Sequence, residues 1–258
     1  MPSLIVENLT TMLQKYVIQL ADNALILGQR LGEWCGHGPI LEQDIAISNI
    51  ALDQIGQARS LFQYASKLDA LGRDEDQIAL LRPENEYLNC LLVELPNVDW
   101  AYTIVRQFLY DSYAKPFYQA LTESTDATLA AIAHKSIKEV TYHQRFSSEW
   151  VIRLGDGTEL SHQKMQGALD FLWPYRNELV INTALEADLI EAGIAVDLDK
   201  IRPQFDEHIQ SVLETATLKV PSNTWNHTGG KSGKHTEAFA YLLLELQYMQ
   251  KAYPNLTW

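Results

Sequence analysis

Cysteine is almost missing from the chain. Cys35 and Cys90 are the only two in 258 residues, too few for a disulfide framework or a Cys-rich zinc module and in keeping with a reducing cytoplasm. Glycine, at 13, and proline, at 9, are too sparse for a collagen-like or low-complexity chain. No run approaches the ~18 uncharged apolar residues of a membrane span. The opening stretch MPSLIVENLTTML has no basic segment and carries Glu7 early, which makes it a poor export signal. Basic residues are outnumbered 20 to 33, for a net charge of −13. Such a chain repels phosphate backbones, which argues against nucleic acid as the main partner. The charge is still compatible with a local basic pocket for an anionic ligand, and it suits docking onto a basic protein.

What is present is globular and helical. Hydrophobic residues make up 47% and charged residues 21%, enough for one large domain with a sizeable core. Apolar residues recur at threes and fours over long stretches, and strand-like alternation is scarce. The first helix is expected from about Asn8 to Trp34, on a stripe of Leu9, Leu13, Tyr16, Leu20, Leu27 and Leu31. Gly36-His37-Gly38-Pro39 ends it. The second is expected from about Leu41 to Leu71, with Ile47, Ala51, Ala58, Leu61, Ala65 and Leu68 inward. A short helix over about 75–81 and a helical stretch over 84–95 follow. The third long helix starts at the N-cap Asp99 and runs to about Leu121, with a kink expected at Pro116. The fourth covers about 126–154 and stops at Gly155-Asp156-Gly157. Further helices are expected over about 161–182 with a kink at Pro174, 184–192, 203–217 and, capped by Thr236, 237–252. Residues 220–235 read as a loop. The pattern predicts an all-α protein, a ferritin-like four-helix bundle with additional C-terminal helices. It forms one domain, with a bundle core over about 8–154 and the C-terminal helices over about 159–258.

Ferritin-like carboxylate proteins hold two metals with one Glu from each of two helices and a Glu-x-x-His pair from each of the other two. The corresponding stripe positions here are Asn23, the i, i+3 pair Gln54 and Gln57, Asp111, and the i, i+3 pair Val140 and His143. Neutral amides are weak ligands for iron or manganese, and two divalent ions need about four carboxylates. A degenerate site is therefore expected, with the polar residues buried and hydrogen-bonded to one another in place of metal. A shifted register using Glu139, His143, Asp53 and Glu33 is the rival arrangement, although Glu139 is rotated ~100° from Val140.

Two other motifs carry less. Gly229-Gly230-Lys231-Ser232-Gly233-Lys234-His235 is not a phosphate-binding loop. Thr228 stands where the first glycine belongs, and His235 where Ser or Thr should follow the lysine. Lys231, Lys234 and His235 are nonetheless candidates for contact with an anion or an acidic partner patch. Cys35 and His37 at a helix exit complete no metal or nucleophile motif.

Several stretches resemble one family. They are LADNALILGQRLGEWCGHGPILEQDIAISNIALDQIGQAR (20–59), LPNVDWAYTIVRQFLYD, KEVTYHQRFSSEWVIRLGDGT and GKHTEAFAYLLLELQYMQKAYPNLTW (233–258). Together they are similar to the structural subunits of phenylacetyl-CoA oxygenases (phenylacetyl-CoA epoxidases), over nearly the whole chain. The resemblance implies a cytoplasmic multicomponent monooxygenase that epoxidises the ring of phenylacetyl-CoA. It places the di-iron site in a paralogous catalytic subunit, which has Glu-x-x-His where this chain has Gln54 to Gln57 and Val140 to His143. It also implies a reductase with FAD and an iron–sulfur cluster that draws on NADPH. On that resemblance the chain is a non-catalytic partner without its own cofactor. Apart from the resemblance, a homodimer is one expectation for the isolated chain, and nucleic acid and membrane are expected to play no part. The alternatives are a ferritin-like dinuclear oxygenase in its own right and a ferritin-like binding module.

Overall fold

The computed structural model describes residues 2–254, and side chains from residue 9 onward. Among the described residues there is no strand, and ten α-helices account for most of the chain. They are α1 (Pro2–Gly32), α2 (Leu41–Leu68), α3 (Glu75–Leu80), α4 (Leu91–Glu94), α5 (Trp100–Leu121), α6 (Ala127–Gly155), α7 (Glu159–Leu172), α8 (Ala184–Glu191), α9 (Leu198–Thr215) and α10 (Glu237–Ala252). Short 3-10 stretches lie at Glu84–Glu86, Trp173–Val180 and Gly230–Ser232. The class is all-α and ferritin-like, as the periodicity predicts. None of the described helices is long and apolar enough to cross a membrane. Residues 255–258, the end of the last stretch that carries the family resemblance, lie outside the described residues.

The chain divides into two compact units. One comprises Met1–Cys35, Ile47–Pro96 and Gly229–Trp258; the other comprises Gly36–Ala46 and Asn97–Thr228.

In the first unit, α1 and most of α2 run antiparallel. Gln14 Nε2 donates to Asp69 Oδ1 at 2.6 Å near one end, and Gly28 faces Ala51 and Ile55 further along. Gly28 is small for a reason: a Cβ there would stand 3.0 Å from Ile55 Cγ1 and 3.3 Å from the Ala51 carbonyl oxygen. The stripe residues Leu13, Tyr16, Leu20, Leu27 and Leu31 are buried, as are Ile47, Ala51, Ala58, Leu61 and Ala65.

The expected helix over 84–95 is not continuous. Residues 87–90 are extended between a 3-10 turn and the one-turn helix α4. The physical reason lies on α1. The Leu88 N–H donates to Asp22 Oδ2 at 2.9 Å, and the Cys90 N–H donates to Asn23 Oδ1 at 2.8 Å. Two consecutive α1 side chains thus take backbone donors that a helix would have used internally. α10 covers the segment, with Phe239 edge-on to Tyr87 and Gln247 Nε2 donating to the Arg82 carbonyl at 2.8 Å. Thr236 occupies the N-cap of α10 without a side-chain cap bond. Its N–H instead donates to Glu94 Oε1 at 2.6 Å.

The second unit is built around α5, which is buried on nearly every side from Ala101 to Leu121. Asp99 caps it as expected, accepting from the Tyr102 N–H at 3.2 Å, and the helix runs through Pro116. Asp126 caps α6 by accepting from the Thr128 and Leu129 N–H groups. The helix expected over 161–182 ends at Leu172 and passes into 3-10 geometry at Pro174. α9 begins at Leu198, capped by Asp197, rather than at Pro203. Pro203 therefore lies inside α9 and forfeits one intrahelical hydrogen bond.

Candidate functional site

The six positions singled out from the sequence for a dinuclear centre fall three in each unit. In the first unit, Gln54 and Gln57 are one turn apart on α2, and both are buried. Gln54 packs beside Gly28, and its carboxamide forms no hydrogen bond among the described residues. Asn23 is buried as well. Its oxygen serves the Cys90 N–H, so this side chain organises backbone.

In the second unit, Asp111 is fully buried on α5. Gln107 Nε2 donates to its Oδ1 at 2.7 Å and the Ser147 hydroxyl to its Oδ2 at 2.8 Å. Burial pushes the Asp111 carboxyl up to about 7, against the opposing pull of the His143 charge and those two donors. His143 is fully buried on α6, and Val140, also buried, has no ligating atom in its side chain. Ser147 is the partner that sequence reasoning passed over as a site residue, although it lies on the same α6 stripe.

This donor set does not fit a dinuclear iron centre. Val140 cannot ligate, the Asn23 oxygen is occupied, and the one carboxylate at these positions resists ionisation near neutrality. The rival register fares no better. Glu33 is on the surface, bonded to Arg30 Nη1 at 2.9 Å. Glu139 lies only half-buried, where its charge joins burial in raising the Tyr118 phenol. Among the described residues no three His, Cys, Asp or Glu side chains group to hold a metal ion. Cys35 is an exposed thiol and His37 is exposed beside it.

Asp111 has a measurable consequence. A carboxyl whose folded pKa exceeds its unfolded value contributes stability fully below the unfolded pKa, and loses it as pH rises through the folded one. Between about pH 4 and pH 7 this contribution should decline. Asp111→Asn should remove that decline and leave the variant more stable than the parent at pH 8 by about 1–3 kcal/mol. Urea unfolding across the pH range checks it, and an unchanged slope in the variant would contradict it.

Sequence reasoning missed the strongest charge pairs, which lie elsewhere in the first unit. Asp22 and Arg82 form a buried ion pair. Arg82 Nη1 also donates to the Glu86 carbonyl at 2.7 Å, and its guanidinium lies 4.1 Å over the Tyr87 ring. Glu94 is the second centre, fully buried on α4. Its Oε2 accepts from Asn89 Nδ2 at 2.8 Å and meets His235 Nδ1 at 2.8 Å, while its main-chain carbonyl accepts from Arg30 Nε and Nη2. His235 Nε2 faces the Tyr87 carbonyl at 2.9 Å. Both ring nitrogens therefore face acceptors, a setting that suits the imidazolium. Burial lowers the His235 pKa, but the Glu94 hydrogen bond and charge and the Tyr87 carbonyl outweigh it and leave the value raised.

These contacts correct the expectation for His235. Its ring is committed inside the unit and is not free to meet an external anion. Lys231 and Lys234 lie on the same loop, half-buried and exposed respectively. The glycines of the loop have a packing role: a Cβ on Gly230 would fall 2.2 Å from the Asn89 carbonyl oxygen, and one on Gly233 equally close to that of Asn85. Gly233 also sits at φ 75°, the left-handed region that glycine favours. The stretch that superficially matches a phosphate loop is a clasp over residues 85–94. Asp22 gave a weak signal, next to the stripe position Asn23; Glu94 gave none, because it belongs to no periodic run, and the loop motif marked His235 only for an external contact.

An all-α, ferritin-like chain is the class that the fold defines. Residues 4–258 match the family described as phenylacetic acid catabolic protein, and the chain belongs to that family. It is 46% identical over 246 residues to the C component of 1,2-phenylacetyl-CoA epoxidase from Escherichia coli (strain K12), covering 95% of this chain and 99% of that protein. It is 27% identical over 144 residues to the A component of the same epoxidase, covering 55% of this chain and 46% of that protein.

Proposed function

We propose that this chain is the non-catalytic structural subunit of a multicomponent, NADPH-dependent monooxygenase that epoxidises phenylacetyl-CoA in phenylacetate catabolism, and that it works in the cytoplasm. The observation that carries the proposal is the 46% identity to the epoxidase's C component, end to end in both chains. The weaker, partial likeness to the A component supports a paralogue of this chain as the catalytic partner. Di-iron belongs to that partner, and FAD and an iron–sulfur cluster belong to the reductase that accepts electrons from NADPH. The chain itself contributes rigidity: it holds the partner's helices in the geometry that the chemistry needs.

The donor set at the six positions supports this division of labour, since oxygen activation at two irons requires a carboxylate-rich site with open positions. A second support lies on α10. Phe239, Leu242, Leu243 and Gln247 are its buried side, yet Tyr241, Leu244 and Tyr248 are 66%, 68% and 60% exposed on the other. Apolar and aromatic residues one helical turn apart on an outer face mark a protein contact. We assign that face to the paralogous partner. The double variant Leu244→Asp, Tyr248→Asp should weaken the two-protein complex at least about tenfold while leaving the helical circular-dichroism spectrum unchanged. Co-elution of the variant with the paralogue at parental affinity would remove α10 from the interface.

A further inference from the structure

The second unit carries a feature that the structural role leaves unused. Lys138, Thr141, Tyr142, Arg145 and Glu149 follow one another along the outer face of α6. They line a groove of about 520 Å³, to which Lys115 of α5 and His208 of α9 also contribute. A smaller groove of about 230 Å³ adjoins it and shares Lys115, Gln144 and His208. The larger volume falls in the range of small-molecule sites, ~300–1,000 Å³. Three cations, Lys115, Lys138 and Arg145, thus converge from two helices in a chain whose net charge is −13, and Glu149 is the one carboxylate among the described residues of the lining. Among the described residues none of the three cations is in an ion pair. What sets these three apart is that they gather around one groove.

The rest of the lining is chosen to match. His208 Nε2 lies 3.1 Å from the Ser148 hydroxyl, and its ring packs on Phe108 at 5.9 Å between centroids. Burial and the Lys115 charge lower its pKa, so at neutral pH it is a neutral hydrogen-bonding group. Tyr142 is 39% exposed, with the Arg145 guanidinium 5.7 Å from its ring centroid. The groove therefore offers point charges, a planar bidentate donor and one aromatic face within a single concavity.

We propose that this α5–α6–α9 groove is a binding site for a phosphate-bearing small molecule. Lys115, Lys138 and Arg145 would hold the phosphate oxygens, and Tyr142 would flank the organic part. Concavity and convergent donors favour a compact polyanion over an extended acidic protein surface, which would meet a flat patch. The inference is independent of the structural role proposed above, because it rests on the isolated chain.

Isothermal titration of the full chain with inorganic pyrophosphate, and separately with coenzyme A, tests it. Binding that weakens with added salt is expected, and Lys138→Gln with Arg145→Gln should lower the affinity at least about tenfold, because two charge-assisted hydrogen bonds are lost. Both residues are exposed, so the fold should persist. Lys164→Gln, a cation paired with Asp99 and absent from the groove lining, should bind as the parent does. Equal binding of both probes identifies phosphate itself as what is recognised; binding of coenzyme A alone identifies a nucleotide phosphate ester. No heat with either probe would overturn the proposal, as would parental affinity in the double variant. Failure of both probes together with loss of the paralogous partner in the double variant would overturn it in favour of a protein contact.

Discussion

Asp22→Ala should lower the unfolding free energy by about 3–5 kcal/mol, the cost of leaving one member of a buried ion pair alone. Asp22 and Arg82 are both buried, and the carboxylate answers a backbone donor as well as the guanidinium. Removing it strands the Arg82 charge against Tyr87 and frees the Leu88 N–H, which holds residues 87–90 extended. The effect should spread to α10, since Gln247 reads the Arg82 carbonyl and the Tyr87 hydroxyl. Replacing both partners by apolar residues, Asp22→Leu with Arg82→Met, should cost less than Asp22→Ala alone, because no charge is then left buried. Chemical denaturation of the three proteins checks the ordering. A double variant less stable than the single one would show that packing outweighs charge at this point.

Glu94→Ala should cost a comparable ~3–5 kcal/mol for the same reason, and this pair adds a pH signature. His235 has a raised pKa in the folded protein. The stability it contributes is therefore complete below the unfolded value of about 6.5 and is lost as pH rises through the folded value. The parent should thus weaken from neutral into mildly alkaline solution. Glu94→Gln keeps the size of the side chain and an acceptor for the Thr236 N–H, but removes the charge. In that variant the alkaline weakening should flatten, with stability at pH 6 reduced. Asp111 acts in the same direction over a more acidic window, so the difference between Glu94→Gln and the parent isolates the His235 part. A parallel alkaline slope in both proteins would remove the imidazolium from the clasp.

The long helices were legible because their evidence is local. Leu13, Tyr16, Leu20 and Leu27 on α1, and Ile47, Ala51, Ala58 and Leu61 on α2, repeat at helical spacing and are buried. Asp99 and Asp126 sit where a cap belongs, and they cap. Failures came where tertiary partners override local preference. Residues 87–90 fall inside the stretch expected to be helical, but Leu88 and Cys90 give their amides to Asp22 and Asn23, more than sixty positions away in sequence. The start of α9 was displaced because a proline suggests a first turn more strongly than a single aspartate does, yet Asp197 is the cap. At the six positions singled out by spacing, the sequence identified which residues would be buried: Asn23, Gln54, Gln57, Asp111, Val140 and His143. What those residues bond to was not legible. The Asn23 partner is a backbone amide on an irregular segment, and Ser147, although on the α6 stripe, is not one of the positions singled out for a metal centre.

The central claim is that this chain supports a catalytic relative and does no oxygen chemistry itself. Reconstitution tests it most directly: phenylacetyl-CoA turnover measured with iron, reductase and NADPH, using this chain alone, the proposed catalytic paralogue alone, and the two together. The account predicts no product from this chain alone and full turnover from the pair, unaffected when the pair contains a folded His143→Ala variant. Turnover by this chain alone, abolished by His143→Ala, would contradict it.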